Sequence, residues 1–223
     1  AEFEDLMYQS MRMAGAVTEG DNRLPVGIQV GMGTRPTAVH KFFTQGDFQN
    51  TGNTLDVAIE GDGFFQVDVN GELMYTRAGS FKLNQDGTVV TANGYILQPQ
   101  FAVPAQTKTI SISSSGHMAA IDAQGQELAG AELPLYTFIN PAGLDARGRN
   151  LYTPTQASGD ATEGVPGTDN VGTLAQGFLE MSNVEVVDEM VNMIVGQRAY
   201  EVNSKSIQTS DSMLGIAVQL KRS

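Results

Sequence analysis

A single helical pattern near the C-terminal end constrains the fold of this chain more than any other feature. Along one face, residues recur every three or four positions, at an average spacing of about 3.6, the period of an α-helix. They are Val184, Val187, Val191, Val195, Ala199, Val202, Ser206, Thr209, Met213, Ile216 and Leu220. Met190, Met193 and Ile194 widen the apolar arc in the first half, whereas Ser206 and Thr209 make the second half smaller and more polar. The pattern predicts a nearly straight helix.

The predicted helix is too long to be covered by its own domain. Ser182 and Glu185 have the S-x-x-E spacing of a capping box, which places the start of the helix just after Ser182. A helix from Asn183 to Leu220 is about 57 Å long, whereas a small β domain offers roughly 30–40 Å of surface. Much of the apolar face must therefore meet a partner in another chain or in a part of the protein outside this sequence.

The middle of the sequence predicts β-structure. Leu55, Val57 and Ile59 alternate with more polar neighbours, the period of a half-buried strand. Three dipeptides typical of tight hairpin turns follow between short apolar runs, at Asn70-Gly71, Asp86-Gly87 and Asn93-Gly94. The stretch "TISISSSGHMAAIDAQGQEL" predicts two further strands, and residues 140–172 are expected to form a long surface excursion. The region 37–181 is thus predicted to be a β-rich domain, either a sandwich or barrel-like.

Residues 1–36 have too few apolar side chains for a core of their own. They open with "EFEDLMYQSMRM", which is compatible with a helical turn, and continue with Gly and Pro too frequent for a helix. We expect an extended arm that lies on something else. The fold class is therefore mainly β, with an extended N-terminal arm (1–36), a β-rich domain (37–181) and a long C-terminal α-helix (182–223).

Composition excludes several classes of protein and of site. The formal net charge of −12 argues against a nucleic-acid binder, which needs a basic surface, and against electrostatic docking on an anionic membrane. The absence of cysteine excludes disulfides, thiolate metal sites and cysteine nucleophiles. No apolar run approaches the length that spans a bilayer. The opening "AEFEDLMYQS" does not begin with Met and has no leader pattern, so we expect a piece of a longer protein.

No motif predicts catalysis or cofactor binding. His40 and His117 share no metal-ligand spacing, and "SISSSGH" does not have the G-x-S-x-G spacing of a nucleophile elbow. "GDGFFQ" and "GMGTRP" lack the third glycine of a dinucleotide loop, and "EGDG" lacks the alternating acidic ligands of a calcium loop. A pair of carboxylates brought together by the fold stays possible, although no spacing favours one. We predict no catalytic, cofactor-binding or metal-binding residues, no cofactor and no small-molecule substrate.

Four long strings resemble the bacterial flagellar rod and hook proteins, and most closely the distal-rod members of that family. They are "TLDVAIEGDGFFQV", "YTRAGSFKLNQDGTVVTANGYILQP", "NLYTPTQASG" and "SNVEVVDEMVNMIVGQRAYEVNSKSIQTSDSML". The segment "LMYQSMRMAGAVTEGDNRLPVGIQVGMGTRP" is similar to the insertion that marks the distal rod within the family. The resemblance covers essentially the whole chain.

The resemblance implies a structural protein rather than an enzyme. Its members stack helically into a hollow rod that transmits torque, with terminal helices in the inner core and a β domain outward. It implies export without a cleaved signal peptide into the periplasm-spanning rod of the flagellar basal body. The implied partners are further copies of the chain, other rod proteins, the hook protein and the surrounding P and L rings. The family's N-terminal helix would lie before Ala1.

The resemblance also implies which residues make contacts in the assembled rod. The helix interface would comprise Val184, Val187, Val191, Ile194, Val195, Ala199, Val202, Met213, Ile216 and Leu220. The contacts of the arm would be Leu24, Pro25, Ile28 and Val30. Three alternatives remain open: another rod or hook member, a secreted adhesin with an oligomerisation helix, and a carbohydrate-binding β domain. The absence of Trp counts against the last of these.

Overall fold

The computed structural model describes residues 2–12, 28–38, 41–168 and 170–220. Short strands dominate the chain up to residue 180, and one long α-helix follows them. The strands are β1 (Glu2–Asp5), β2 (Tyr8–Arg12), β3 (Ile28–Gly31), β4 (Thr34–Ala38), β5 (Phe48–Asn50), β6 (Val57–Glu60), β7 (Phe65–Val69), β8 (Glu72–Thr76), β9 (Phe81–Leu83), β10 (Val89–Thr91), β11 (Ile96–Gln98), β12 (Thr109–Ile112), β13 (His117–Ile121), β14 (Glu127–Glu132), β15 (Leu135–Thr137), β16 (Asp145–Gly148), β17 (Leu151–Thr153), β18 (Thr162–Gly164), β19 (Thr173–Gln176) and β20 (Phe178–Glu180). The helix is α1 (Val186–Leu220), and a 3-10 turn spans Pro141–Gly143.

The largest sheet has seven strands in the order β16-β17-β8-β7-β11-β10-β9, with antiparallel pairing throughout. It is open at β16 and β9, so the barrel-like alternative does not describe this domain. All three predicted hairpins are confirmed, since β7–β8, β9–β10 and β10–β11 pair across the turns named above. Asn70 and Gly71 have φ angles of 58° and 89°, the left-handed backbone that a tight two-residue hairpin needs.

A second sheet of three strands, in the order β12-β13-β14, packs on the same core. The core contains apolar residues of both sheets and of the β6–β19 pair, including the fully buried Phe65, Ile59 and Leu97. A smaller aromatic cluster lies on the opposite face of the seven-stranded sheet, because neighbouring residues of a strand point to opposite faces. There Tyr75 and Phe64 meet Phe138 edge to face, with ring centroids 5.0 and 5.6 Å apart.

Residues 140–172 were expected to form a long surface excursion, but they contribute strands to the domain instead. These strands are β16 and β17, which extend the seven-stranded sheet, and β18, which pairs with β15. Leu144, Leu151 and Ser158 are buried there. The turn-rich composition concealed these strands because each has only three or four residues, too few to show a period.

The N-terminal segment is extended, and the helical turn considered for its first residues is wrong. β1 pairs with β4 and β2 pairs with β3, both antiparallel. Cross-strand bonds to the later strands satisfy the backbone of Glu2–Asp5 and Tyr8–Arg12, which an isolated helical turn would leave largely unpaired. The predicted arm contacts Leu24 and Pro25 lie outside the described residues.

Helix α1 begins three residues later than predicted, at Val186. The Ser182 hydroxyl accepts a bond from the Val184 N–H at 3.3 Å, and the Glu185 carbonyl accepts one from the Glu189 N–H at 3.1 Å. Glu185 therefore occupies the N-cap position, and Ser182–Glu185 does not form the predicted capping box. The 35 residues of α1 span about 52 Å at 1.5 Å per residue. No helix within the described residues is long and apolar enough to cross a bilayer.

Candidate assembly surface

Helix α1 presents the predicted apolar face to solvent. Val191 and Val195 are 53% and 61% exposed, and the remaining described members of the face are exposed as well. Within the described part of the chain, α1 has no extensive contact with any strand and forms no ion pair with one. The face that sequence analysis selected is therefore present in the fold and is not covered by the domain that carries it.

Two of the predicted interface residues stand apart from the others. Val184 precedes the helix, so it does not extend the helical face, although its side chain is exposed. Leu220 is the last residue of α1, and the structure describes only its backbone. The predicted residues Val187, Val191, Ile194, Val195, Ala199, Val202, Met213 and Ile216 all lie on α1.

Charged residues also lie on this face, which the sequence analysis overlooked. Arg198 is seven residues after Val191, and Lys205 is seven residues after Arg198, so both lie within about 40° of Val191 around the helix axis. Both side chains are exposed. Long basic side chains can cover apolar surface with their methylene groups while the charge stays at the rim of a contact. The face is therefore an apolar stripe interrupted by cations rather than a continuous one.

A second apolar side of α1 was missed, and Met193, which the sequence analysis assigned to the arc of Val191, belongs to it, because Met193 lies about 200° from Val191 around the helix axis. Val186, Met193, Tyr200, Ile207 and Leu214 recur every seven residues and are 61%, 62%, 76%, 64% and 66% exposed. Tyr200 lies nine positions after Val191, which is about 180° around the axis at 100° per residue. A spacing of seven was the signal that could have found this side, because it keeps residues in register along a helix.

Small residues accompany the second side. Gly196, Asn203 and Ser210 follow its larger members by three positions, the spacing between the a and d positions of a heptad. The Ser210 hydroxyl donates to the Ser206 carbonyl at 2.9 Å, so its polar group is satisfied within the helix. Thr209 and Ser212 donate in the same way to Lys205 and Gln208, both at 2.8 Å. Because these hydroxyls already have acceptors, another helix could cover them without leaving their donors unpaired.

The two strand pairs of the N-terminal arm are also exposed. Phe3, Met7 and Met32 are 68%, 85% and 65% exposed, and Tyr8 lies against Gly31 in the neighbouring strand. Of the predicted arm contacts, Ile28 and Val30 lie in β3, where the structure describes only their backbone. The arm is thus a narrow ribbon with large apolar side chains exposed. The sequence analysis predicted an extended arm but did not identify these exposed side chains.

Two titratable side chains of the β-rich domain, His117 and Tyr136, interact with neighbouring carboxylates. His117 lies between two carboxylates, with Nδ1 2.9 Å from Glu132 Oε1 and Nε2 3.3 Å from Glu127 Oε1. The hydrogen bond to Glu132 raises the pKa of His117, and the charge of Glu127 adds to that effect. Burial, followed by the neighbouring Glu163, raises the pKa of Tyr136 to about 12. Within the described residues, no group of three His, Asp or Glu side chains is arranged to hold a metal ion.

Comparison with known proteins shows which protein family the chain matches. Residues 58–120 match a family model described as the flagellar hook protein FlgE/F/G D1 domain, and residues 175–220 match one described as the flagellar basal body rod FlgEFG protein C-terminal. The second match contains all of α1.

Curated relatives match along almost the whole chain. The flagellar basal-body rod protein FlgG of Buchnera aphidicola subsp. Schizaphis graminum is 47% identical over 99% of this chain and 85% of its own length. The protein of the same name from Borreliella burgdorferi is 47% identical over 100% of this chain and 85% of its own length. That of Bacillus subtilis is 40% identical over 99% and 85%. The chain therefore belongs to the family of flagellar basal-body rod proteins FlgG.

Proposed function

We propose that this chain, a structural subunit of the flagellar distal rod, assembles with copies of itself into a rigid hollow shaft that transmits torque to the hook. One observation carries the proposal: α1 exposes apolar side chains on two opposite sides along its length. A surface helix of a globular protein needs only one such side, because the other faces water. A helix that is apolar on both sides fits a position between other helices.

The energy available from covering α1 is large compared with the cost of association. Burying one Val, Ile, Leu or Met side chain fully contributes about 1.5–3 kcal/mol, and α1 exposes more than ten such residues. Association costs an estimated 4–15 kcal/mol in lost translational and rotational freedom. Several helix contacts per subunit would therefore give a stable and stiff tube.

The division of the chain into an arm (1–36), a β-rich domain (37–181) and a core helix (182–223) fits this assembly. We propose that α1 lies in the inner core and that the β-rich domain faces outward. The exposed Phe3, Met7 and Met32 would let the arm lie between neighbouring subunits. The predicted contacts at Leu24, Pro25, Ile28 and Val30 belong to the same proposed interface.

Location and partners follow from membership of the rod. We propose that the chain is exported without a cleaved signal peptide and spans the periplasm as part of the rod. It would contact copies of itself, other rod proteins, the hook protein and the surrounding P and L rings. The proposed role requires no catalysis, cofactor, nucleic acid or small-molecule substrate.

Photo-crosslinking in cells tests the proposed core position of α1. A benzoylphenylalanine at Val191 should form adducts with a second copy of the chain in assembled basal bodies. The same probe at the exposed Gln124, in the β13–β14 turn, serves as the control, because we propose that this turn lies outside the core. Adducts at position 191 should vanish in cells that cannot assemble a rod. Adducts only at position 124 would contradict the proposal.

A further inference from the structure

The two chain segments that enter and leave the β-rich domain are bonded to each other before α1 begins. We call residues 42–50 and 177–185 the junction. Within it β5 pairs with β20, and the Met181 N–H donates to the Asp47 carbonyl at 2.8 Å. The Gly46 N–H donates to Glu180 Oε1 at 3.1 Å. A Cβ at Gly46 would lie 2.1 Å from the Met181 carbonyl oxygen, so the segments approach more closely there than a side chain permits.

A nearly buried ion pair anchors the junction to the domain. Arg77 Nε donates to Glu180 Oε2 at 2.6 Å, and the two side chains are only 16% and 11% exposed. The remaining guanidinium nitrogens donate to the carbonyls of Gly61 at 2.8 Å and Gly63 at 3.2 Å. A buried pair whose hydrogen-bonding groups are satisfied in this way tolerates few alternative arrangements. The position of β20 is therefore tied to the turn between β6 and β7.

Asn183 closes the junction on the side of the helix. Its Nδ2 lies 3.0 Å from the Thr44 carbonyl, 2.8 Å from Thr44 Oγ1 and 3.2 Å from the Phe42 carbonyl. The amide group thus holds the outgoing segment against the incoming one. Only Val184 and Glu185 separate this anchored residue from the first residue of α1.

Those two residues have little freedom of their own. The Val184 N–H donates to Ser182 Oγ, and the Glu185 carbonyl already accepts the first bond of the helix. Each residue has two soft backbone torsions, and a β-branched residue such as Val184 is further restricted. Because α1 has no extensive contact with any described strand, packing does not set its direction. The direction of α1 is therefore set by the hydrogen bonds of the junction.

We infer that the junction fixes the direction in which α1 leaves the β-rich domain, with Asn183, Arg77 and Glu180 as positioning residues. A fixed direction would let force applied to the helices reach the outer domain without bending the subunit. That use rests on the proposed function. The fixed direction itself is a property of the unassembled chain and can be tested without assembly.

Distance measurement between spin labels tests this inference directly. The chain has no cysteine, so Lys82→Cys in β9 and Lys205→Cys in α1 give a clean pair of exposed labelling sites. Residue 205 lies about 28 Å along the helix from Val186, so a small change of angle moves its label far. The otherwise unchanged chain should give one narrow distribution of label distances.

Three variants should remove that narrow peak. Asn183→Asp has the same shape, yet it replaces the amide donor by a carboxylate facing carbonyl oxygens. Asn183→Ala deletes the contacts without adding charge, and Glu180→Gln removes the charge that pairs with Arg77. Arg147→Ala is the control, because it breaks an exposed ion pair with Asp145 outside the junction and should leave the peak unchanged.

The outcomes separate this inference from the proposed function. Near-ultraviolet circular dichroism of each variant should match that of the parent chain, which shows that the β-rich domain stays folded. A narrow peak retained in both Asn183 variants and in Glu180→Gln would overturn the inference, as would a broad distribution in the parent. A failure of rod assembly in cells with a narrow peak in the purified chain would contradict the proposed function alone.

Discussion

At the scale of single residues, Gly79 shows how little room the core leaves. Its carbonyl accepts the Val57 N–H at 3.0 Å, and a Cβ at this position would lie 1.6 Å from the Val57 carbonyl oxygen. The nearest atoms belong to the backbone of β6, which cannot rotate away as a flexible side chain could. The glycine is therefore required by the close approach of two backbones.

We predict that Gly79→Ala lowers the free energy of unfolding by about 3 kcal/mol, since overpacking at a rigid site forces backbone shifts. Chemical denaturation followed by fluorescence of the tyrosines would measure the loss. Gly196→Ala is the matched control: nothing lies within 4 Å of its added Cβ, and in a helix Ala is favoured over Gly by about 1 kcal/mol. A tolerated Gly79→Ala would show that β6 is more mobile than its burial indicates.

A pH-dependent contribution is expected at His117. The bond to Glu132 raises its pKa, so protonated His117 is favoured in the folded chain. The resulting stability is fully present below the ordinary pKa of about 6.5 and is lost as pH rises through the higher folded value. Because the site is exposed, the effect is small.

We predict that His117→Gln lowers the melting temperature near pH 6, just below the ordinary histidine pKa of about 6.5, and has no effect near pH 9, about 2.5 units above it. Thermal unfolding at both pH values would measure this. Lys82→Gln changes an exposed charge elsewhere and should shift the melting temperature by a similar amount at both. A deficit of His117→Gln that persists unchanged at the higher pH would mean that the side chain acts through packing instead.

At the scale of elements, α1 differs from an ordinary surface helix because it is apolar on two sides. The side of Val191 averages about 3.6 residues between members, and the side of Tyr200 repeats every seven. Two steps of 3.6 residues are about 7.2 residues, close to seven, so the side of Tyr200 drifts by only about 20° per repeat around the helix. Over the 35 residues of α1 the two sides therefore remain opposite each other. The helix can therefore pack against other helices on both of its apolar sides.

We predict that Val191→Asp blocks rod assembly while the free energy of unfolding of the β-rich domain changes by less than about 0.5 kcal/mol, as for a typical surface substitution. An unpaired carboxylate buried between helices costs several kcal/mol, whereas Val191 is exposed in the single chain. Electron microscopy of basal bodies and thermal unfolding of the purified chain provide the two readouts. A helix docked on its own domain would give the reverse order: unfolding without a specific assembly defect.

We predict the same separation for Tyr200→Asp, which tests the second side alone. Assembly should fail while the purified chain keeps its thermal transition, because Tyr200 is 76% exposed. Gln197→Asp, on the flank between the two sides, is the control and should still give basal bodies with rods. Normal rods from Tyr200→Asp would mean that only the side of Val191 is covered.

At the scale of the whole molecule, stability is unevenly distributed. The β-rich domain has a continuous core, whereas α1 lacks extensive contacts with the described strands and contains Gly196 and Gly215. An isolated helix depends on propensity and local pairs, which are marginal in water without tertiary packing. The unassembled chain should therefore combine a stable domain with a helix that is formed most of the time but opens locally and briefly far more often than the domain does.

We predict that amide hydrogen exchange of the purified chain is fast across residues 190–216 and slow in β6 and β7. Mass spectrometry of peptides from both regions would measure the difference. Peptides from the core of assembled rods should show the helix protected, which provides the comparison. Equal protection of α1 and β7 in the unassembled chain would show that the helix is covered within one subunit.

The sequence by itself determined the elements whose causes are local. The hairpins at Asn70-Gly71, Asp86-Gly87 and Asn93-Gly94 follow from turn residues, and the helix follows from periodicity over ten turns. The mainly β class follows from both, and four long strings were sufficient to place the chain in its family. Each of these features follows either from a pattern repeated along the sequence or from a strong local preference of the turn residues.

Tertiary structure decided what depends on partners distant in the chain. The strands β16–β18 were missed because three or four residues show no period. Only the pairing of β16 with β17, of β17 with β8 and of β18 with β15 makes them strands. The arm became two strand pairs because each strand finds its hydrogen bonds 16–36 residues away. The junction joins Asn183 to Thr44 and Arg77 to Glu180 across 139 and 103 positions, a relation that no local pattern can contain.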